Sequence, residues 1–78
     1  MNTEIEKAIG SNIRNLRKKA NLTQENLAAK LQIEGCDITR SALAKIEVGQ
    51  RHIYPDEIIL FKKILKTSYE EILKLNNN

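Results

Sequence analysis

The sequence has 78 residues, a length that corresponds to one domain at roughly 100–200 residues per domain. It carries 13 basic and 10 acidic side chains, which give a formal net charge of +3. The single cysteine, Cys36, excludes an internal disulfide framework and a multi-cysteine zinc site, and the single histidine, His52, excludes a metal site built from several histidines. Leu, Ile, Val and Phe make up 22 of the 78 residues, which is a larger share than the roughly 20% below which chains stay disordered.

The location of the protein can be predicted from what the chain lacks. The longest uninterrupted apolar run is residues 58–61, which is far too short to span a membrane. The N-terminal residues show neither the basic nor the apolar region of a signal peptide. We therefore expect a reduced, cytoplasmic protein without a membrane segment.

Helical spacing of apolar residues recurs along the chain and predicts five helices. The first covers Thr3–Lys19. Its apolar stripe consists of Ile5, Ala8, Ile9, Ile13 and Leu16. The second covers about Gln24–Leu31, with Thr23 as its N-cap and Leu22 placed to pack against Leu27.

The third predicted helix covers about Arg40–Val48. Thr39 is its expected N-cap, and Ile38 can pack against Leu43 in the same way as the pair at the second helix. Gly49 is the expected C-terminal stop. Thr39 and the Ile38–Leu43 pair are thus two independent signals for the start of this helix.

The fourth helix is predicted to start near Pro55, because proline is favoured in a first helical turn. The fifth is predicted to start at Ser68, which forms a capping box with Glu71. Residues 76–78 are expected to be frayed. The fold class is therefore all-α, a compact bundle of about five short helices in a single domain over residues 1–78.

The predicted third helix has two different faces. On a helical wheel its inward positions are apolar except for one carboxylate, and its outward positions are small except for two cations. The inward residues are Leu43, Ile46 and Glu47, and the outward residues are Arg40, Ser41, Ala44, Lys45 and Val48. Arginine and lysine can donate to guanine in a major groove, but an ordinary solvated face would have the same composition, so the spacing alone leaves both interpretations open.

Residues 22–31 (Leu-Thr-Gln-Glu-Asn-Leu-Ala-Ala-Lys-Leu) and 46–49 (Ile-Glu-Val-Gly) closely resemble the Cro/phage-repressor (XRE-type) helix-turn-helix family. The resemblance extends from about residue 9 to residue 73. It implies a lambda-repressor-like helical bundle that binds double-stranded operator DNA, generally as a two-fold homodimer.

The resemblance also implies roles for individual residues. The base-reading positions are matched by Arg40, Ser41, Ala44 and Lys45, and the phosphate-contacting positions by Gln24, Thr39, Gln50 and Arg51. Arg17 and Glu47 match an ion pair that braces the first helix against the third. The position of Glu47 on the apolar side of its helix supports this pair independently, because an unpaired carboxylate there would be costly.

The connector between the two motif helices differs from the usual pattern. Eight residues, 32–39, separate the predicted helices, whereas the usual turn has three or four residues. The Ile38–Leu43 pair predicts that the third helix still docks normally. We expect the longer turn to affect the register of the protein on its operator, and Glu34 and Asp37 to add negative charge near it.

These observations predict a sequence-specific DNA-binding regulator that acts as a repressor. Its dimer interface is expected around residues 53–54 and the last two helices, with Ile72 and Leu75 partly exposed. No catalytic residue, metal, cofactor or small-molecule ligand is expected. The alternative is a protein-interaction or antitoxin module, in which Ala44 and Val48 would fit a groove on a protein partner.

Overall fold

Five α-helices joined by short loops make up the fold, as described for residues 2–75 by a computed structural model. They are α1 (Thr3–Lys19), α2 (Gln24–Ile33), α3 (Arg40–Glu47), α4 (Pro55–Leu65) and α5 (Tyr69–Leu73). No strand occurs among residues 2–75, and the predicted all-α bundle is confirmed. The predicted frayed tail, residues 76–78, lies outside the described residues.

The helix ends differ from their predicted positions by one or two residues. Helix α2 continues past Leu31 to Ile33. The apolar pattern could not show this extension, because the added residues face solvent and Ile33 is 83% exposed. Helix α3 ends one residue early, with Val48 as its C-cap, and Ser68 is the N-cap of α5 rather than its first residue.

Side chains accept hydrogen bonds at the N-termini of four helices. The Thr23, Thr39 and Ser68 hydroxyls accept from the amides of the third helical residues, as predicted, at 3.0, 3.1 and 3.1 Å. The reciprocal bond of the predicted Ser68 capping box, from the Ser68 amide to the Glu71 side chain, does not occur in the described part of the chain. At α2 the Asn26 side chain also accepts from the Thr23 amide at 3.2 Å, which completes a capping box that was not predicted. Asn2 caps α1 in the same manner. A cap of this kind contributes roughly 1 kcal/mol to stability.

The core lies where α1 packs on α3 and α5, α2 packs on α3 and α4, and α4 packs on α5. Its apolar side chains are almost completely removed from water, with Phe61 the largest. The core consists of Ile9, Ile13, Leu27, Leu31, Ile38, Leu43, Ile46, Ile53, Phe61, Leu65 and Ile72. Both partners of the predicted Ile38–Leu43 pair belong to it, so the start of α3 is anchored in the core.

Two glycines allow the backbones of α1 and α3 to approach each other closely. A Cβ atom at Gly10 would overlap the carbonyl oxygen of Ile46. Gly49 has φ +78°, and a Cβ atom there would lie 2.8 Å from the Cα of Lys7. Helix α1 therefore contacts the last turn of α3 and the residue that terminates it, which fixes the position of α3.

A buried polar cluster joins α1, α2 and α3. The Arg17 guanidinium donates to both carboxylate oxygens of Glu47, with Nε–Oε2 at 2.7 Å and Nη2–Oε1 at 3.1 Å. Gln24 Nε2 donates to Glu47 Oε1 at 3.0 Å, and Arg17 Nη1 donates to the Leu22 carbonyl at 2.7 Å. The Glu47 side chain is 1% exposed, so its charge is neutralised entirely by protein donors.

A second buried polar side chain attaches the end of the chain to α1. Asn12 is 3% exposed, and its Nδ2 donates to the carbonyl oxygens of Ile72 and Lys74, both at 2.8 Å. Ile72 is fully buried, so the prediction that it is partly exposed is wrong. The reason is that α5 turns this side chain into the core, while Leu75, beyond the helix, is 57% exposed.

Gly10→Ala is expected to lower the melting temperature, although alanine is normally about 1 kcal/mol better than glycine inside a helix. The added methyl group would collide with the backbone of α3 and force the two helices apart. Thermal unfolding followed by circular dichroism measures the effect. Asn15→Ala, at an exposed position of the same helix, should leave the melting temperature unchanged or raise it, and an equal response of both variants would contradict the close approach.

Glu47→Gln is expected to cost about 3–5 kcal/mol of unfolding free energy, because it leaves the buried Arg17 charge without its counter-ion. Urea denaturation measures this loss. The double variant Arg17→Met/Glu47→Leu removes both charges and should be more stable than Glu47→Gln alone. A single variant as stable as the wild type would show that the ion pair does not hold the helices together.

Candidate nucleic-acid interface

The outward face of α3 is accessible along its whole length. Arg40, Ser41, Lys45 and Val48 are exposed and Ala44 is half-buried, whereas the inward residues predicted from the helical wheel are buried. Arg40 and Lys45 have no ion-pair partner among residues 2–75. A narrow cationic ridge therefore projects from the bundle, with small side chains between the two charges.

One shallow groove runs between the N-terminus of α3 and the N-terminus of α2. Its lining residues are Arg17, Thr23, Gln24, Glu25 and Arg40. The Gln24 amide uses one of its two hydrogens on Glu47, so its second hydrogen is free for a ligand. Thr39 accepts from the Ala42 amide, and its hydroxyl can still donate its own hydrogen. Two of the four predicted phosphate-contacting residues, Gln24 and Thr39, thus retain a donor.

The turn between α2 and α3 folds against α4 rather than over the outward face of α3. Since α2 ends at Ile33 and α3 begins at Arg40, the turn has six residues, 34–39, rather than the predicted eight. Gly35 adopts φ +86°, and the Cys36 amide donates to the Leu31 carbonyl at 2.9 Å. Glu34 binds Lys63 of α4 with Nζ–Oε1 at 2.7 Å, so its charge is compensated locally.

The loop after α3 is held by an ion pair with two hydrogen bonds. Arg51 Nη1 and Nη2 donate to Oε1 and Oε2 of Glu57 at 2.9 and 3.1 Å, and the Tyr54 amide donates to Glu57 Oε1 at 3.0 Å. Burial opposes ionisation of Glu57, but the hydrogen bonds from Arg51 and Tyr54 and the Arg51 charge outweigh it and lower the pKa of this carboxyl. The hydrogen bond to Glu57 also raises the pKa of Arg51. Of the two residues predicted to contact phosphate here, Arg51 is thus largely engaged, while Gln50 is exposed.

The same loop is also tied to the start of α1. The Glu6 carboxylate accepts from the Ile53 amide at 3.0 Å, and its other oxygen lies 3.1 Å from Nδ1 of His52. Ile53 is 4% exposed and Tyr54 is 52% exposed. Of the two loop residues predicted to form a subunit interface, Tyr54 alone offers substantial surface to a partner.

A second groove runs between α1 and the C-terminal half of α3. From α1 it is lined by Lys7, Ser11 and Arg14, and from the other helices by Gln24, Ala44, Glu47 and Val48. The three α1 residues follow an i, i+4, i+7 pattern, which places them on one helix face. The sequence contains the signal for this polar face of α1, but nothing in it shows that the face lies beside α3.

The described part of the chain has neither a cluster of metal-ligating side chains nor a membrane-spanning helix. Residues 2–75 contain no group of three or more His, Cys, Asp or Glu side chains that could hold a metal ion. None of the helices within that range is long and apolar enough to cross a membrane.

Comparisons with known proteins identify the family and the fold. The profile of the helix-turn-helix family matches residues 13–72. The crystal structure of the DNA-binding domain of BldD superimposes with a TM-score of 0.80 and 19% sequence identity, covering 95% of this chain and 100% of that chain. No curated protein matches the sequence. Because the family profile spans both motif helices and most of the bundle, the chain belongs to the Cro/C1-type helix-turn-helix family.

Proposed function

We propose that this protein is a sequence-specific transcriptional regulator that binds double-stranded operator DNA and represses by excluding polymerase. The observation that carries the proposal is the exposed face of α3, on which Arg40 and Lys45 are free of ion-pair partners among residues 2–75. A helix of this shape fits the major groove, which is about 12 Å wide. Family membership and the fold shared with the DNA-binding domain of BldD support the same function.

In the proposed complex, base edges are read by the outward residues of α3. Arg40 and Lys45 donate to guanine O6 and N7, and Ser41 donates to or accepts from a neighbouring base. Ala44, half-buried between the two cations, allows the helix backbone to come close to the bases and contacts a thymine methyl group. These residues supply the sequence preference.

Phosphate contacts hold the protein in register on the duplex. Gln24 and Thr39 donate to one strand from the N-terminal ends of α2 and α3, where free donor hydrogens remain. Gln50 donates from the exposed start of the loop after α3. Arg51 contributes the donors that its hydrogen bonds to Glu57 and to the His52 carbonyl leave free, and these bonds hold the loop that follows Gln50.

The proposed active form is a two-fold homodimer that reads two half-sites about 34–36 Å apart. A single small domain makes few base contacts, and doubling them is the simplest route to specificity. Exposed apolar side chains outside α3 support this, because Tyr54 and Ile59 are 52% and 53% exposed and Leu73 and Leu75 are 40% and 57% exposed.

A protein-interaction or antitoxin module is the second candidate function. Val48 is 52% exposed at the end of α3, and beside Ala44 it offers a partner protein an apolar contact on the same face. Gel-shift assays with genomic fragments and heparin competitor separate the two functions. Salt-sensitive DNA binding supports the regulator, and its absence supports the protein partner.

Arg40→Ala is expected to relax sequence preference, because it removes a bidentate base contact worth about 1–3 kcal/mol of discrimination. Selection of bound sequences from random duplexes, followed by affinity measurement on single-base variants, quantifies the change. Lys30→Ala, which removes one positive charge from an exposed position of α2, is the matched control. Unchanged discrimination by the Arg40 variant would contradict the placement of α3 in the groove.

The same selection tests the dimer, since a two-fold protein is expected to enrich palindromic sequences. Ile59→Glu places a charge on the exposed surface of α4 and should reduce the dimer fraction measured by analytical ultracentrifugation. A palindromic site together with a lower affinity of the Ile59 variant supports the dimer. Non-palindromic selected sequences and a monomeric wild-type protein would contradict it.

A further inference from the structure

We infer that α1 forms a second DNA-backbone contact surface, in which Lys7 and Arg14 bind phosphates of the strand that passes beside α3. This inference rests on the proposed function and adds a binding site to it. The surface, called here the α1 rail, consists of Lys7, Ser11 and Arg14, which line the groove between α1 and α3.

The rail has a fixed position relative to the helix that is proposed to enter the major groove. Gly10 brings α1 against the backbone of α3 at Ile46, and Gly49 brings the end of α3 against the backbone of Lys7. Lys7 therefore lies beside the C-terminal end of α3, while Arg14 shares a groove with Gln24 at the start of α2. The rail thus lies beside the C-terminal half of α3 and extends toward the start of α2.

The spacing of the two cations suits a nucleic-acid strand. Seven residues of helix correspond to an axial distance of about 10 Å at 1.5 Å per residue. One DNA strand advances about 3.4 Å along its axis per phosphate, so Lys7 and Arg14 reach different phosphates rather than competing for one. Ser11 lies between them and provides a short hydroxyl donor.

The charges around the rail favour a polyanion. Lys7 and Arg14 are exposed and have no ion-pair partner among residues 2–75. Glu47 is the carboxylate that lines this groove, and it is buried and neutralised by Arg17. A phosphate in the groove thus meets two free cations and no uncompensated negative charge from the lining residues.

The α1 rail provides unpaired cations for phosphate binding beside α3, which the loop after α3 does not, because Arg51 is paired there. Arg51, the cation expected to contact phosphate behind α3, donates to both oxygens of Glu57. The cations of the rail lie beside the same helix and are not engaged in this way. Phosphate binding next to α3 therefore depends more on Lys7 and Arg14 than on Arg51.

The test compares the salt dependence of DNA binding by the wild-type chain and by the double variant Lys7→Gln/Arg14→Gln. Each lost phosphate contact lowers the slope of log K against log salt by about 0.9, so the double variant should show a slope smaller by about two. Between about 50 and 200 mM salt its affinity should therefore fall about tenfold less than that of the wild type. Its sequence preference should be unchanged.

Lys19→Gln is the matched control, because Lys19 lies on the same helix but lines a groove beside Glu71 and Lys74 near α5. This variant should keep the wild-type slope, and circular dichroism should show the same melting temperature for all variants. Ethylation of single phosphates gives a second readout, since two interfering phosphates in the wild-type pattern should no longer interfere in the double variant.

The outcomes separate this inference from the proposed function. A wild-type chain that does not bind duplex DNA overturns both. Binding that loses discrimination in Arg40→Ala, but keeps its slope and ethylation pattern in the double variant, overturns the α1 rail alone. An equal fall in slope for Lys19→Gln also overturns it, because general charge rather than the position of the two cations would then explain the effect.

Discussion

The orientation of α3 depends on one buried carboxylate. Glu47 accepts hydrogen bonds from Arg17 of α1 and Gln24 of α2, so a single side chain on the inner face of α3 fixes three helices relative to one another. A packing that separates Glu47 from Arg17 would leave a buried charge without a partner, which costs several kcal/mol. Alternative packings of these helices are therefore unfavourable. The accessible ridge on the opposite face of α3 therefore has a defined direction.

Charge is distributed unevenly, and the net value of +3 conceals this. Among residues 2–75 five glutamates contact basic side chains, and three of them, at positions 6, 34 and 47, connect elements that are distant in sequence. The cations on α3 and the α1 rail have no such partner among residues 2–75 and face solvent. A modest overall charge is thus compatible with a group of unpaired cations on and beside α3.

The sequence predicted the features that depend on neighbouring residues. Thr23, Thr39 and Ser68 mark helix starts because each hydroxyl accepts a hydrogen bond from the amide three residues later. The inward position of Glu47 follows from helical periodicity. Asn12 could not be predicted, because its partners lie 60 and 62 residues away and nothing local distinguishes a bridging asparagine from an exposed one. The pairing of Arg51 with Glu57 was missed for a different reason, since an arginine in a loop has the same local pattern whether it faces a carboxylate or solvent.

The attachment of α5 to Asn12 has a consequence for how the protein is made. A five-residue helix cannot persist alone in water, and α5 is held by a side chain from the first helix and by the burial of Ile72. During synthesis the ribosome releases α1 long before α5, so the early part of the nascent chain must wait with its core open. The core around Ile72 can close only after α5 has left the ribosome, because the hydrogen bonds of Asn12 join the first helix to the last one.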